Sequence, residues 1–312
     1  MAVDSLTYEN ASGLAPTIEG LEFLWLELTQ NCNLRCAHCY TNSSPECRHP
    51  RIDWQPLIDE AHVLGCHNVQ FIGGEPMAHP RLQEYVRHAR HVGYEFIEVY
   101  TNLTISKPRI IEVFAECGVN VATSFYSADR SEHERVTGVR GSFDRTVTGI
   151  RRVIEAGLPL RVGMVAENPE REEVRAAVDF LVKLGVAADV IRIDHVRPVG
   201  RGSDIAPFES LEETLCGHCW ERRLAVSFDG SCYPCVFSRS VIVGNIGDQT
   251  LTQVVQSPTL RSFRKSMARG PSLQCTPDCN PAGPCNPNCT PKCAPPCDPN
   301  CNPKVGCPPY RN

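Results

Sequence analysis

Short apolar runs alternate with longer amphipathic stretches from Leu21 to about Val199. Six runs read as strands: Glu22–Leu28, Asn68–Ile72, Phe96–Tyr100, Val119–Phe125, Leu160–Val165 and Val190–Val196. Between them the apolar positions take helical spacing. Asp53–Leu64 puts Trp54, Leu57, Ile58 and Ala61 on one face and stops at Gly65. Arg81–Val92, Pro108–Cys117, Ser142–Ala156 and Arg171–Leu184 stop at Gly93, Gly118, Gly157 and Gly185. Glycine just beyond the last turn is the expected helix terminator, because it accepts a left-handed conformation without a Cβ clash. Strand and helix alternating with one hand predict an α/β fold with a parallel sheet. About six such units suffice for a partial (β/α)6 TIM-like barrel. An open doubly wound sheet is the alternative that periodicity leaves standing.

After Gly200 the pattern changes. Leu224–Phe228 and Ser231–Val236 flank Asp229-Gly230, a hairpin cue, and a helix-like stretch follows over Leu251–Met267. The last segment holds eight of the 18 cysteines and eleven of the 25 prolines, each of its cysteines having proline two positions later. Such a segment builds no apolar core. The chain therefore divides into a lead-in (1–20), a core (21–202), a small cysteine-bearing module (203–274) and a Cys/Pro-rich tail (275–312).

The remaining composition is that of a globular protein, with 42% hydrophobic and 21% charged residues in 312. A net charge of −5 supplies no basic field to recruit nucleic acid or anionic membrane. The first thirty residues lack the pattern of a signal peptide, and no apolar run is long enough to span a bilayer. A cytoplasmic location is expected. Many cysteines in a reducing compartment point to metal or redox chemistry over disulfides.

Cys32-Asn-Leu-Arg-Cys36-Ala-His-Cys39 follows the first strand. Three thiolates so close together can occupy three corners of an iron–sulfur cube and leave the fourth iron open. The alternative is a structural zinc site completed by Cys47 or His49. Further along, Gly73-Gly74-Glu75-Pro76 ends the second strand run and Thr101-Asn102 the third. Ser124 lies late in the fourth, and Arg197-Pro-Val-Gly-Arg-Gly202 closes the sixth. In a parallel barrel, loops at these strand ends converge on one mouth.

These motifs, in this order, resemble those of the radical S-adenosylmethionine (radical SAM) superfamily over about residues 21–202. The segment from His133 to Asp144 also looks like the one that leads into the fourth helix of many members. His38 and Leu103 depart from the commonest pattern, which has an aromatic residue and a glycine there. The resemblance implies a [4Fe–4S] cluster on Cys32, Cys36 and Cys39 whose open iron chelates S-adenosylmethionine (AdoMet). It implies AdoMet contacts at Gly73, Gly74, Glu75, Pro76, Asn102 and Ser124, with Glu75 accepting from the methionine ammonium. Arg135 and Arg161 are candidate carboxylate partners or merely structural charges, and His133 reads as a surface histidine. The implied activity is reductive cleavage of AdoMet to a 5′-deoxyadenosyl radical that abstracts hydrogen from substrate. A flavodoxin- or ferredoxin-type reductant is implied as partner.

Cys216-Gly-His-Cys219 and Cys232-Tyr-Pro-Cys235 form two paired-cysteine motifs, a spacing usual for zinc. With Gly230 five positions before Cys235, the stretch also resembles the SPASM or twitch module, which holds auxiliary [4Fe–4S] clusters. That module draws further ligands from downstream, and Cys275, Cys279, Cys285 and Cys289 come close to its spacing. The tail is read as auxiliary ligands, as a soft-metal binder or as a disordered appendage, the last preferred from Cys293 onward. Cys47, Cys66 and Cys117 read as ordinary cysteines. The expected function is a radical SAM enzyme acting on a ribosomal peptide or protein. A small-molecule substrate is the enzymatic alternative, and a non-enzymatic metal-binding protein using the tail is the other.

Overall fold

A computed structural model describes residues 20–49, 52–166, 171–206, 210, 214–215, 219 and 221–268. Cys216, the tail with Cys275, Cys279, Cys285 and Cys289, and all but Gly20 of the lead-in lie outside the described residues.

The strand runs fold as β1 (Phe23–Glu27), β2 (Asn68–Ile72), β3 (Phe96–Tyr100), β4 (Asn120–Ser124), β5 (Leu160–Val165) and β6 (Ile191–Asp194). Each pairs in parallel with the next, for instance Leu24 opposite Val69 and Ala122 opposite Arg161. The order never reverses, as it would in a doubly wound sheet, so the helices wind round one face only. The result is a partial barrel whose sheet is not closed.

The helices are α1 (Gln55–Val63), α2 (Leu82–Val92), α3 (Pro108–Glu116), α4 (Arg130–Thr137), α5 (Ser142–Glu155) and α6 (Glu172–Leu184). The five terminator glycines all have positive φ, from 60° to 112°. One helix was not anticipated. Short and polar, α4 is framed by Asp129, whose side chain accepts from the Glu132 amide, and by Gly138 at φ 68°. Those two caps are the signal that could have revealed it.

Alternation along each strand sorts its side chains onto two faces. Leu24, Leu26, Val69, Phe71, Ile97, Val99, Val121 and Val162 face the helices and are fully buried in the main core. Burying this layer is favourable by roughly 25 cal/mol per Å2 of apolar surface. The opposite face lines the barrel interior and is polar. Glu98 is buried, accepts from Gln70 and holds Arg161 by two bonds of 2.7 Å. Glu27, also buried, pairs with Arg239 and accepts from Ser227 at 2.8 Å. Phe23 packs on Trp25 and Phe96 near the strands' N-terminal ends.

The hairpin forms as β7 (Arg223–Val226) and β8 (Ser231–Tyr233), turning at Gly230 with φ 84°. It continues the barrel sheet: β7 pairs in parallel with β1, and β8 runs antiparallel to β7 and to the short β9 (Gly244–Asn245). The expected helix over Leu251–Met267 splits into α7 (Leu251–Val255) and α8 (Pro258–Ala268). Pro258 disfavours helical geometry at Ser257 and starts a new helix instead. Among the described residues no helix is long and apolar enough to cross a membrane.

Candidate active site

The cysteine loop leaves the C-terminal end of β1 and is closed at its base. Asn31 donates through Nδ2 to the carbonyls of Pro45 and Cys47, and the Cys32 amide donates to the Ser44 carbonyl. The loop's inner edge packs on Gly73-Gly74. The Gly74 amide donates to the Thr29 carbonyl at 2.6 Å and the Glu75 amide to the Asn31 carbonyl at 2.9 Å. A Cβ on Gly73 would lie 2.5 Å from the Thr29 oxygen, and one on Gly74 would lie 2.4 Å from that of Asn31. The two glycines therefore serve first to let two backbones touch.

None of the three cysteines is in a disulfide. The Cys32 sulfur accepts from the Leu34 amide at 3.4 Å and faces Asn102 Nδ2 at 3.8 Å. The Tyr126 hydroxyl lies near the Cys36 sulfur. The Cys39 sulfur meets the Thr41 hydroxyl at 3.3 Å. Burial pushes the Cys32 thiol well above its ordinary range, with Glu75 adding to the effect. Burial pushes Cys36 up to about 12, the neighbouring Cys39 contributing. Burial disfavours the charged form of the Cys32 and Cys36 thiols, so a polycationic group, whose charge would compensate thiolates, suits this loop. The donor set thus fits an iron–sulfur cluster. Among the described residues no three His, Cys, Asp or Glu are gathered around a single-ion position. The candidate fourth zinc ligands are engaged elsewhere: Cys47 lies 3.5 Å from the Ser44 hydroxyl, and His49 Nδ1 lies 2.9 Å from that of Thr29.

Glu75 is fully buried and its side chain ties the ends of β2 and β3 together. One carboxylate oxygen accepts from the Met77 amide at 2.8 Å and the Thr101 hydroxyl at 2.6 Å. The other accepts from the Asn102 amide at 2.8 Å. Burial raises the carboxyl to about 7 against the pull of these bonds. Pro76 opens the short turn that Glu75 caps. Asn102 bridges to the cysteine loop, its Nδ2 donating to Asn33 Oδ1 at 3.0 Å. Ser124, at the end of β4, lies 3.1 Å from the Tyr100 hydroxyl. The sequence-derived positions thus gather at the C-terminal ends of β1 to β4.

Leu103 has φ 58°, the left-handed geometry natural to glycine, yet its side chain is fully buried. Gly149 in α5 makes room for it, since a Cβ there would lie 2.4 Å from the Leu103 carbonyl oxygen. The histidine at position 38 keeps an edge-on ring contact with Tyr126, centroids 5.0 Å apart. Of the two candidate carboxylate partners, Arg135 pairs with Glu132 on the exposed face of α4, and Arg161 is held by Glu98 inside the barrel. His133 is not on the surface. It is 1% exposed among Phe125, Tyr126 and Phe143, neither ring nitrogen has a hydrogen-bond partner, and burial lowers its pKa to about 4. Tyr126, which touches both Cys36 and Ser124, carried no signal beyond its place two residues after a strand end.

In the second cysteine region, the Cys219 and Cys235 sulfurs are 3.4 Å apart. They pack with Leu215, Phe237, Phe263 and Met267. The Cys219 hydrogen bond lowers the Cys235 pKa. Cys232 departs from the expectation of equivalent ligands. Its sulfur turns into the main core, lies 3.6 Å from the Gly230 carbonyl and is pushed up to about 12 by burial.

Comparison with known proteins agrees with this geometry. The radical SAM superfamily model matches residues 26–181, half of the chain, and an iron–sulfur cluster-binding domain model, SPASM, matches residues 216–280. The chain belongs to the radical SAM superfamily, whose enzymes use a [4Fe–4S] cluster and AdoMet.

The AdoMet-dependent heme synthase of Methanosarcina barkeri is 29% identical over 57% of this chain and 51% of its own length. The subtilosin biosynthesis protein AlbA of Bacillus subtilis is 25% identical over 81% of this chain and 63% of its own. The PqqA peptide cyclase of Methylobacterium nodulans is 29% identical over 61% and 50%. The chain thus spans about half to 63% of these curated relatives. Among solved structures, SuiB of Streptococcus suis bound to the precursor peptide SuiA superposes with a TM-score of 0.63 at 16% identity. That match covers 79% of this chain and 67% of SuiB. The enzyme anSMEcpe with bound AdoMet gives 0.60 at 17% identity, over 79% and 80%. At such identities these matches speak for the fold.

Proposed function

We propose that the protein is a radical SAM peptide maturase. Cys32, Cys36 and Cys39 hold the [4Fe–4S] cluster, and Gly73, Gly74, Glu75, Pro76, Asn102 and Ser124 form the AdoMet side of the mouth. The observation that carries this is the trio of buried and half-buried cysteines on one loop, held against Asn102 at the end of β3 and against Gly74 and Glu75 at the end of β2. When bound, the cluster and AdoMet supply a carbon-centred radical that takes hydrogen from substrate.

The chain's own residues do the rest. Glu75 and Asn102 fix the distance between the cysteine loop and the ends of β2 and β3. The hydrophobic helix layer excludes water from behind the sheet. The tyrosines at 100 and 126 and the Glu98–Arg161 pair line a lumen that can hydrogen-bond a polar chain. A peptide substrate is favoured by AlbA and the PqqA peptide cyclase among the relatives. A small molecule is the second reading, favoured by the heme synthase among the relatives.

Cys219 and Cys235 are the described members of an auxiliary cluster site, completed by Cys216 and cysteines from Cys275 to Cys289. Cys232 is left out. Residues 203–274 are the module that carries Cys216, Cys219 and Cys235, and the natural reductant is of the flavodoxin or ferredoxin class.

Anaerobic reconstitution with iron and sulfide, followed by dithionite and AdoMet, tests the core chemistry. Release of 5′-deoxyadenosine supports it; a colourless protein that leaves AdoMet intact rules it out. Capture of a short peptide, against turnover of a free metabolite, separates the two substrate readings.

A further inference from the structure

The segment that returns from β6 does more than connect. The Arg201 amide donates to the Cys39 carbonyl at 2.9 Å. Its Nε donates to the Cys36 carbonyl at 2.8 Å, and its Nη2 to the Ser43 carbonyl at 2.9 Å. Gly200, with φ 59°, lies flat on the same loop; a Cβ there would sit 2.4 Å from the Cys39 oxygen. From the opposite side, the last carbonyls of α4 take the loop's amides. Arg35 donates to the Thr137 carbonyl and Ala37 to that of Val136, both at 2.9 Å.

The cysteine loop is therefore gripped twice. Three of its carbonyls go to one residue and two of its amides go to one helix end. A planar guanidinium can satisfy two carbonyls at fixed directions; an ammonium on a flexible stem cannot do so with the same geometry. Arg197, four residues earlier, anchors the segment from below. It pairs with Asp194 at 3.0 Å, donates to the Thr214 carbonyl at 2.8 Å and lies over the Phe237 ring.

We infer that Arg201 is a positioning residue: it clasps the cysteine loop into ligand geometry and places one positive charge beside Cys36. The second half rests on the proposed cluster assignment. A reduced cluster carries one more negative charge than an oxidised one, so a neighbouring guanidinium favours reduction and raises the potential. The first half does not rest on that assignment.

Wild type, Arg201→Gln and Arg201→Lys separate the two. In metal-free protein, hydrogen exchange reads the clasp. In Arg201→Gln the amides of Arg35 and Ala37 exchange about ten-fold faster or more, while α2 and β2 keep wild-type protection. In reconstituted protein, a redox titration follows the EPR signal that changes when AdoMet is added. Arg201→Gln shifts its midpoint to lower potential and loses iron faster to a chelator. Arg201→Lys keeps the wild-type midpoint, having kept the charge, yet still loses iron faster. Wild-type exchange at Arg35 and Ala37 in Arg201→Gln overturns the clasp, and a wild-type midpoint overturns the charge effect. If wild type itself shows no AdoMet-responsive signal, the cluster assignment and its charge effect fail together, and exchange alone decides the clasp.

Discussion

The protein's two sulfur regions are built on different principles. The first takes three cysteines from one short loop and fastens it to the ends of β2 and β3, to α4 and to Arg201. Behind it lies the main core. The second brings together Cys219 and Cys235, 16 positions apart on separate segments, over a small apolar cluster of Leu215, Phe237, Phe263 and Met267. A site framed by a folded sheet is preorganised for its metal. A site drawing on distant chain segments gains part of its order from the metal, because binding and folding are then one equilibrium. The barrel site should therefore survive in the metal-free protein, and the second site should respond to metal with a change in structure.

The largest expected effect divides the two regions outright. A Cys32/Cys36/Cys39→Ala variant loses the AdoMet-responsive EPR signal completely and about four irons per chain. A Cys219/Cys235→Ala variant keeps that signal and loses only the remaining iron. An AdoMet-responsive signal that disappears in the second variant and persists in the first would reverse the assignment.

Leu103→Gly tests how the first region is held. Relieving the left-handed strain returns about 1–2 kcal/mol, but deleting a fully buried leucine costs roughly 2–5 kcal/mol. Net destabilisation is expected in urea unfolding, and a more stable variant would show that strain dominates.

His133 makes the first region sensitive to acid. Its folded pKa of about 4 lies below the ordinary 6.5, so the neutral ring is the one that fits the fold. The stability tied to the neutral ring is fully present above pH 6.5 and is lost as pH falls toward 4, on the order of 2–3 kcal/mol in the limit. His133→Leu should flatten that part of the urea midpoint's pH profile between 7 and 4.5. It should also stabilise slightly at pH 7, since two orphaned ring nitrogens disappear. A variant as acid-sensitive as wild type would place the sensitivity elsewhere.

The smallest effect separates two neighbouring cysteines. Cys232→Ala should leave iron content unchanged and cost about 1 kcal/mol, as a small core truncation does. Cys235→Ala should lower iron content with little loss of stability in the metal-free protein. Equal iron loss from both would return Cys232 to the ligand set.

Much of this was legible along the chain. Period-two and period-3.6 patterns located six strands and five helices, and the glycines after five helices took the left-handed geometry that such positions demand. The three barrel cysteines stood out because they lie within eight residues of one another. Other features were not legible, because they depend on neighbours far away in sequence. Asp129 and Gly138 mark α4, but its polar composition hid it from a search for apolar spacing. The Asp229-Gly230 hairpin was visible, while its pairing beside β1 was not.

The sequence by itself determined the strand–helix repeat, the cysteine loop and the motifs at successive strand ends, since each is written within a few residues. Only the tertiary structure decided which sulfur sits beside Cys219 and which enters the main core, as Cys235 and Cys232 show. It alone buried His133, seated Leu103 against Gly149 and brought Arg201 onto the carbonyls of Cys36 and Ser43. The reason is physical. Burial and hydrogen-bond partnership belong to pairs of segments, and a side chain's environment is fixed only when both members of the pair have been placed.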